Sequence, residues 1–257
     1  MKNAARRIYI ALIFIFMYAP IATLGVLSFN ASKSRAKWGG FTFKWYLSLF
    51  ENKDIMQAPW NTLAIALISS VIATVVGTIS CIAIQGMKKK GRAIVLGITN
   101  IPMLNADIVT GISLMLLFIV LGIRLGFFTI LLAHITFNIP YVILSVMPRM
   151  KQLNPSVYEA ALDLGASHVQ AFFKVIFPDI LPGILSGFLM AFTMSLDDFI
   201  ITYFTKGPGI DTLSTKIYTE VRKGIKPEMY ALSTIIFMVV LVLLFLVNRT
   251  PKEKPAK

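Results

Sequence analysis

Apolar residues in this chain gather into blocks as long as a bilayer is thick, separated by short polar or basic stretches. A helix rises about 1.5 Å per residue, so roughly 20 apolar residues cross the ~30 Å hydrocarbon layer. Six blocks meet that test: 8–28, 62–84, 103–123, 127–147, 182–204 and 230–247. The pattern predicts an all-α integral membrane protein of six spans, organised as one domain over residues 1–257. The run Lys88-Lys89-Lys90-Gly91-Arg92 lies in a short loop and marks it as cytoplasmic. With six spans, both termini and the loop 148–179 then fall on the same side.

Departures from plain apolarity carry the rest. Pro20 predicts a kink in the first span. Ser69, Ser70, Ala73, Gly77 and Ser80 in the second, and Gly183 with Gly187 in the fifth, predict close helix packing. Asn100, Pro102, Asn105 and Asp107 interrupt the third block, which reads as a lead-in to Ile101 and a main span from Met103. Gly122 to Gly126 reads as a tight external turn. Between the first two spans, Trp45, Tyr46, Leu49 and Phe50 form an aromatic stripe expected on an interfacial helix within 29–59. Between the last two, Leu213, Ile217 and Val221 predict a short amphipathic helix within 205–229.

Composition agrees: 56% of residues are hydrophobic and only 14% charged, against about 25% charged in soluble domains. The net charge of +13 comes from Lys and Arg beside the spans, which act as topology anchors and do not call for a nucleic acid. Cys81 is alone in a span, so no disulfide framework exists. The basic start, Met1 to Arg7, leads into a span-length apolar run without a small-residue exit, so no cleaved signal peptide is expected. No phosphate-binding Gly-x-x-x-x-Gly-Lys pattern, metalloprotease motif or nucleophile elbow occurs. His134 and His168 are too few for a metal site; His134 reads as a packing residue or an interhelical hydrogen-bonder ahead of a proton relay, and His168 as a solvated helix-start residue. The chain has no catalytic set, no cofactor site and no ATP site of its own, so active transport would need an ATP-hydrolysing partner.

The loop 148–179 is the long segment on its side. Ser156 with Glu159 predicts one capping box, Ser167 with Gln170 a second, Gly165 a left-handed stop between them, and Pro178 the end of the second helix. Val157, Ala161, Leu164, Phe172, Phe173, Val175 and Ile176 leave this elbow greasy, suited to lipid or to a groove on another protein.

Glu159-Ala160-Ala161, Gly165, Val175, Phe177 and Pro178 closely resemble the EAA loop of ABC importer permeases, with Val175 and Phe177 in place of an Ile and a Leu. The resemblance implies a type I importer fold in which this loop docks into a nucleotide-binding subunit and transmits its closure. It further implies two ATP-binding subunits, a second permease that is similar but not identical, an extracytoplasmic binding protein, and a bacterial cell membrane location. By that likeness Glu159 and Gly165 are the critical positions. WGGFTFKWYLSLF and FTMSLDDFIITYF look like the permeases of spermidine/putrescine importers, a likeness that runs over essentially the whole chain. Ferric-iron and thiamine permeases are close relatives.

The intramembrane acids bear on substrate. On a continuous fifth helix Asp198 shares a small, polar stripe with Ala191, Ser195, Thr202 and Thr205, as a water-filled path would require, whereas Asp197 faces otherwise, a lesser path candidate that reads first as a structural acid, paired, hydrogen-bonded or near a partner subunit. Asp107 is either a cap, with Asn105, on the break of the third span or a substrate contact. No Lys or Arg lies in any span. Acids without bases suit a cationic solute. A stand-alone secondary transporter would leave the elbow unexplained, and an intramembrane enzyme would need a catalytic set that is missing.

Overall fold

A computed structural model describes residues 2–34 and 36–249. The basic tail containing Pro251 and Pro255 lies outside the described residues. Along the chain run α1 (Lys2–Ser28), α2 (Lys44–Glu51), α3 (Lys53–Gln85), α4 (Lys89–Leu104), α5 (Asp107–Val120), α6 (Phe127–Gln152), α7 (Pro155–Asp163) and α8 (His168–Ala171). A π-helical turn (Phe172–Ile176), α9 (Phe177–Asp197), α10 (Ile200–Thr205), α11 (Leu213–Lys223) and α12 (Pro227–Arg249) complete it. Among the described residues the chain is helical, and its only β pairing is a single bridge between Asn30 and Phe41.

The chain divides into two compact units, Gln57–Lys216 and a second formed by Met1–Met56 with Ile217–Lys257. In the second, α12 packs along α1 and α2. The expected aromatic stripe on α2 is narrower than its spacing implies. Trp45 and Leu49 are buried core residues, while Phe50 is exposed. The Trp45 indole N–H donates to the Asn30 carbonyl at 2.7 Å. The Asn30 side chain in turn accepts from Ser32 N and Gly39 N and donates to Lys37 O, tying down the loop after α1. Burial with a satisfied N–H makes Trp45 a packing residue here, so the interfacial-belt expectation is corrected.

In the Gln57–Lys216 unit, α6 and α9 form the main helix pair, with α3 and α4 against them. Their core holds Ala73, Cys81, Val142, Val146, Met150 and Ile180. Small residues set the spacing. A Cβ on Gly77 would lie 2.7 Å from Val142 Cγ1, one on Gly183 2.9 Å from Arg149 Cγ, and one on Gly187 3.3 Å from Val142 Cα. The packing faces expected on the second and fifth spans are therefore where the helices touch.

Several boundaries differ from the hydrophobic blocks. α3 starts at Lys53, so Pro59 lies inside it. The third block breaks at Asn105–Ala106, where α4 and α5 meet at 103°. The expected lead-in is a 16-residue helix in its own right, and the span proper begins at Asp107 rather than Met103. Asn105 and Asp107 form no side-chain cap; Asp107 sits in the first turn of α5, where its charge opposes the positive end of the helix dipole. On α11 Thr215 and Glu220 are buried, Leu213 and Ile217 are half-buried and Val221 is exposed, so the apolar stripe read there is only partly covered.

The fifth block is also discontinuous, against the expectation of one helix through Phe204. α9 ends at Asp197, Asp198 is extended, and α10 restarts at Ile200. Four helices (Arg6–Ser28, Lys53–Gln85, Phe127–Gln152 and His168–Asp197) are long and apolar enough to cross a membrane, and the bent α4–α5 pair makes five. In α12 the described apolar stretch is Pro227–Val239.

Candidate functional site

Two places in the Gln57–Lys216 unit bring functional residues together: the elbow and the break in the fifth span.

The elbow begins with a cap different from the one its sequence suggests. Asn154, not Ser156, is the N-cap of α7, its side chain accepting from Ser156 N at 3.1 Å. Pro155 follows at the first helical position, where a missing N–H costs nothing. The Ser156–Glu159 capping box is thus not formed, because an Asn one residue ahead of a proline takes the role and moves the helix start upstream. Gly165 is the left-handed stop, with φ +86°. Gly165 N bonds to Leu162 O and Ala166 N to Ala161 O, the paired bonds of a Schellman motif. The second capping box is present: Gln170 N donates to Ser167 Oγ, and Ser167 N to Gln170 Oε1. Tyr158 and His168 join the two helices through a 3.1 Å bond. His168 is therefore exposed yet engaged.

Pro178 does not end the second helix. The chain passes through the π turn, where Phe177 N reaches Phe172 O, and continues as α9. A proline ring collides with the carbonyl four residues back. The widened turn falls immediately ahead of Pro178 and lets the helix absorb it. The elbow is consequently continuous with the fifth span, and Ile176 within the π turn packs on the helix core. Glu159, Ala160, Gly165 and Pro178 are exposed, while Ala161, Val175 and Phe177 are half-buried. Leu164 is 89% and Val169 66% exposed, an apolar surface that nothing among the described residues covers.

At the fifth-span break, Asp198 caps α10. Its carboxylate accepts from Ile201 N at 3.2 Å, Thr202 N at 2.8 Å and Thr202 Oγ1 at 2.7 Å. His134 on α6 lies against it, Nε2 being 3.4 Å from Asp198 Oδ2 and 2.9 Å from Thr202 Oγ1. The other ring nitrogen is 2.5 Å from Ser195 Oγ, which is 3.1 Å from Ser69 Oγ on α3. Thr129 Oγ1 donates to Thr205 O at 2.7 Å. The Asp198 side chain is only 8% exposed, and Ala191, Ser195, Thr202 and Thr205 are buried.

The polar stripe therefore faces the interior of the chain, correcting the expectation that it lines a water-filled path. A carboxylate buried in a span needs partners: α10 and α6 supply them here, and Ser195 of α9 and Ser69 of α3 extend the network behind His134. Asp197 is exposed and has no hydrogen bond or ion pair within the described residues, so the pairing expected of it is not found there. Asp107 is likewise exposed. One turn along α5 from Asp107, Gly111 lies against α10: a Cβ there would be 3.4 Å from Ile201 Cα and 3.2 Å from the Phe204 ring. Two broken spans, each with an exposed acid at its break, thus meet through a glycine. His134 was legible as a hydrogen-bonder. Ser69 was readable only as a packing residue, because its partners are far away in sequence.

Comparison with known proteins defines the class. Residues 73–250 match the family described as binding-protein-dependent transport system inner membrane component, and the chain belongs to that family. It is an inner-membrane permease, a transport subunit and not an enzyme. It is 37% identical over 246 residues to the spermidine/putrescine transport system permease protein PotC of Escherichia coli K12, covering 96% of this chain and 93% of that one. To the putrescine transport system permease protein PotI of the same strain it is 38% identical over 243 residues, covering 91% and 86%. A bacterial ABC transporter for the import of alginate has the same fold, with a TM-score of 0.71 at 19% identity over 97% of this chain and 96% of that one.

Proposed function

We propose that the chain is one of two permease subunits of an ATP-driven importer for polyamines, spermidine or putrescine, received from an extracytoplasmic binding protein. The observation that carries this is the 37–38% identity, over more than nine-tenths of the chain, to permeases named for those two amines. The electrostatics agree: the exposed intramembrane charges are Asp197 and Asp107, and a protonated amine on a carboxylate makes a charge-assisted hydrogen bond. Asp197 and Asp107 are the direct contacts in this reading, and Ser195, Asp198 and Thr202 support them from behind.

Six spans form one membrane domain with both termini in the cytoplasm. A second, similar permease covers the exposed side of the two breaks. The elbow docks into an ATP-binding subunit through Leu164, Val169 and the Glu159-Ala160-Ala161 helix, one such subunit per permease. Gly165 keeps the elbow bent, and Val175, Phe177 and Pro178 join its movement to α9.

The test is ATP hydrolysis by the reconstituted complex in the presence of the binding protein and a panel of amines and metal ions. Stimulation by spermidine or putrescine is expected. Stimulation by ferric iron alone, or by no amine, overturns the polyamine assignment.

A further inference from the structure

A helix broken inside a membrane has orphan N–H and C=O groups at the break, and the two halves swing freely unless something outside the helix fixes them. Asp198 answers the first need by capping α10. The second is met from α6. His134, 1% exposed, puts one ring nitrogen on Ser195 of α9 and the other on Thr202 of α10. A single rigid ring thus spans the break and holds both halves. Any rotation of α9 against α10 lengthens one of these bonds.

Asp197 is the last helical residue of α9 and stands between Ser195 and Asp198, the two points that the network anchors. Its own carboxylate has no bond within the described residues to direct it. The orientation of that exposed carboxylate therefore follows from the geometry of the break. We infer that His134 is a positioning residue for transport: without touching substrate, it sets the direction in which Asp197 meets the cationic solute. This rests on the reading of Asp197 as a path residue.

A purely structural histidine would lower assembly or maximal rate alike for every variant. A positioning one changes apparent affinity and acts through Asp197. The experiment measures KM and maximal rate of labelled spermidine uptake by the full complex carrying His134→Ala, Asp197→Asn, both, or His134→Gln. Asp197→Asn is expected to raise KM about tenfold, as for loss of one charge-assisted contact. His134→Ala should raise it several-fold at unchanged complex yield. The double variant should be no worse than Asp197→Asn alone, since the two act in series. His134→Gln, whose amide can still reach Thr202, should recover part of the loss. Multiplying KM effects in the double variant, or a fall in maximal rate with KM intact, overturns the positioning role while leaving Asp197 in the path. An unchanged KM for Asp197→Asn overturns the path reading itself, and the inference with it. Should His134→Ala fail to assemble, Ser195→Ala, which removes only the α9 anchor, carries the same cycle with the same criteria.

Discussion

The elbow and the fifth-span break both bend the chain, and they are stabilised in opposite ways. At the elbow each bend is held by residues within a few positions of it: Asn154 on Ser156, Gly165 on Leu162, Ser167 on Gln170. These bonds face water, and each contributes about 1 kcal/mol. At the break, Asp198 has local partners in Ile201 and Thr202, but the fixing contacts come from His134 on α6 and Ser69 on α3. Those groups are buried, where an unmet hydrogen bond costs much more. The elbow is thus stiff by itself, as the docking role proposed for it requires. The break is stiff only as part of the bundle, so its geometry follows how α3, α6 and α9 are packed.

The largest effect is expected at the break. Asp198→Ala removes the acceptor for two α10 N–H groups, the Thr202 hydroxyl and the facing His134 nitrogen. Breaking a buried charged network costs about 3–5 kcal/mol. Thermal unfolding of the purified chain in detergent should show a large fall in Tm, with Asp198→Asn intermediate. An unchanged Tm for Asp198→Ala would mean that the break is held as locally as the elbow, and the contrast would fail.

Next is the helix contact beneath the break. Gly187→Leu drives a side chain into Val142, whose Cα is 3.3 Å from where a Cβ would stand. Overpacking of this kind costs about 1–3 kcal/mol. Reduced Tm and reduced uptake together are expected, and restoration of both by Val142→Ala in the same chain would show that the damage is steric.

Gly165→Ala should separate stability from coupling. A Cβ at φ +86° meets no atom within 4 Å, so the cost is only that of the left-handed backbone, about 1–2 kcal/mol. Tm should fall slightly. Under the proposed docking role, substrate-stimulated ATP hydrolysis should fall by a larger factor, because that role depends on the angle between α7 and α8. Equal, small losses in both would remove Gly165 from the coupling role.

This contrast also explains what could be read from the residues alone. Four apolar helices of span length followed from apolar block length, and Gly165, Ser167 and Gln170 from motifs in which every participant lies within four residues. The glycine faces of α3 and α9 were legible from small-residue spacing. The break after Asp197 was not, because FTMSLDDFIITYF has no Pro or Gly to mark it. A continuous helix placed Asp198 on a polar stripe, and the stripe itself is real. Whether a polar stripe faces a water path or a buried histidine depends on which helix packs there, and residue spacing within one helix carries no such information. That Asp197 is exposed and Asp198 buried has that single origin.

The smallest predicted effect tests the N-cap motif that misled. Asn154-Pro155-Ser156 offers two N-cap residues in three positions, and the structure uses the first. Proline favours this choice twice. It suits the first helical position, and it disfavours helical backbone at the residue before it, which keeps Asn154 in the extended conformation a cap needs. Ser156 then lies inside the helix with an exposed hydroxyl and no capping duty. Asn154→Ala should lower stability by about 1 kcal/mol, read as faster amide exchange across α7, whereas Ser156→Ala should stay within about 0.5 kcal/mol. The reverse order would put the cap back on Ser156 and shorten α7 by two residues at the start, which would move Glu159 a full half-turn closer to the free N–H groups that an acid there could satisfy.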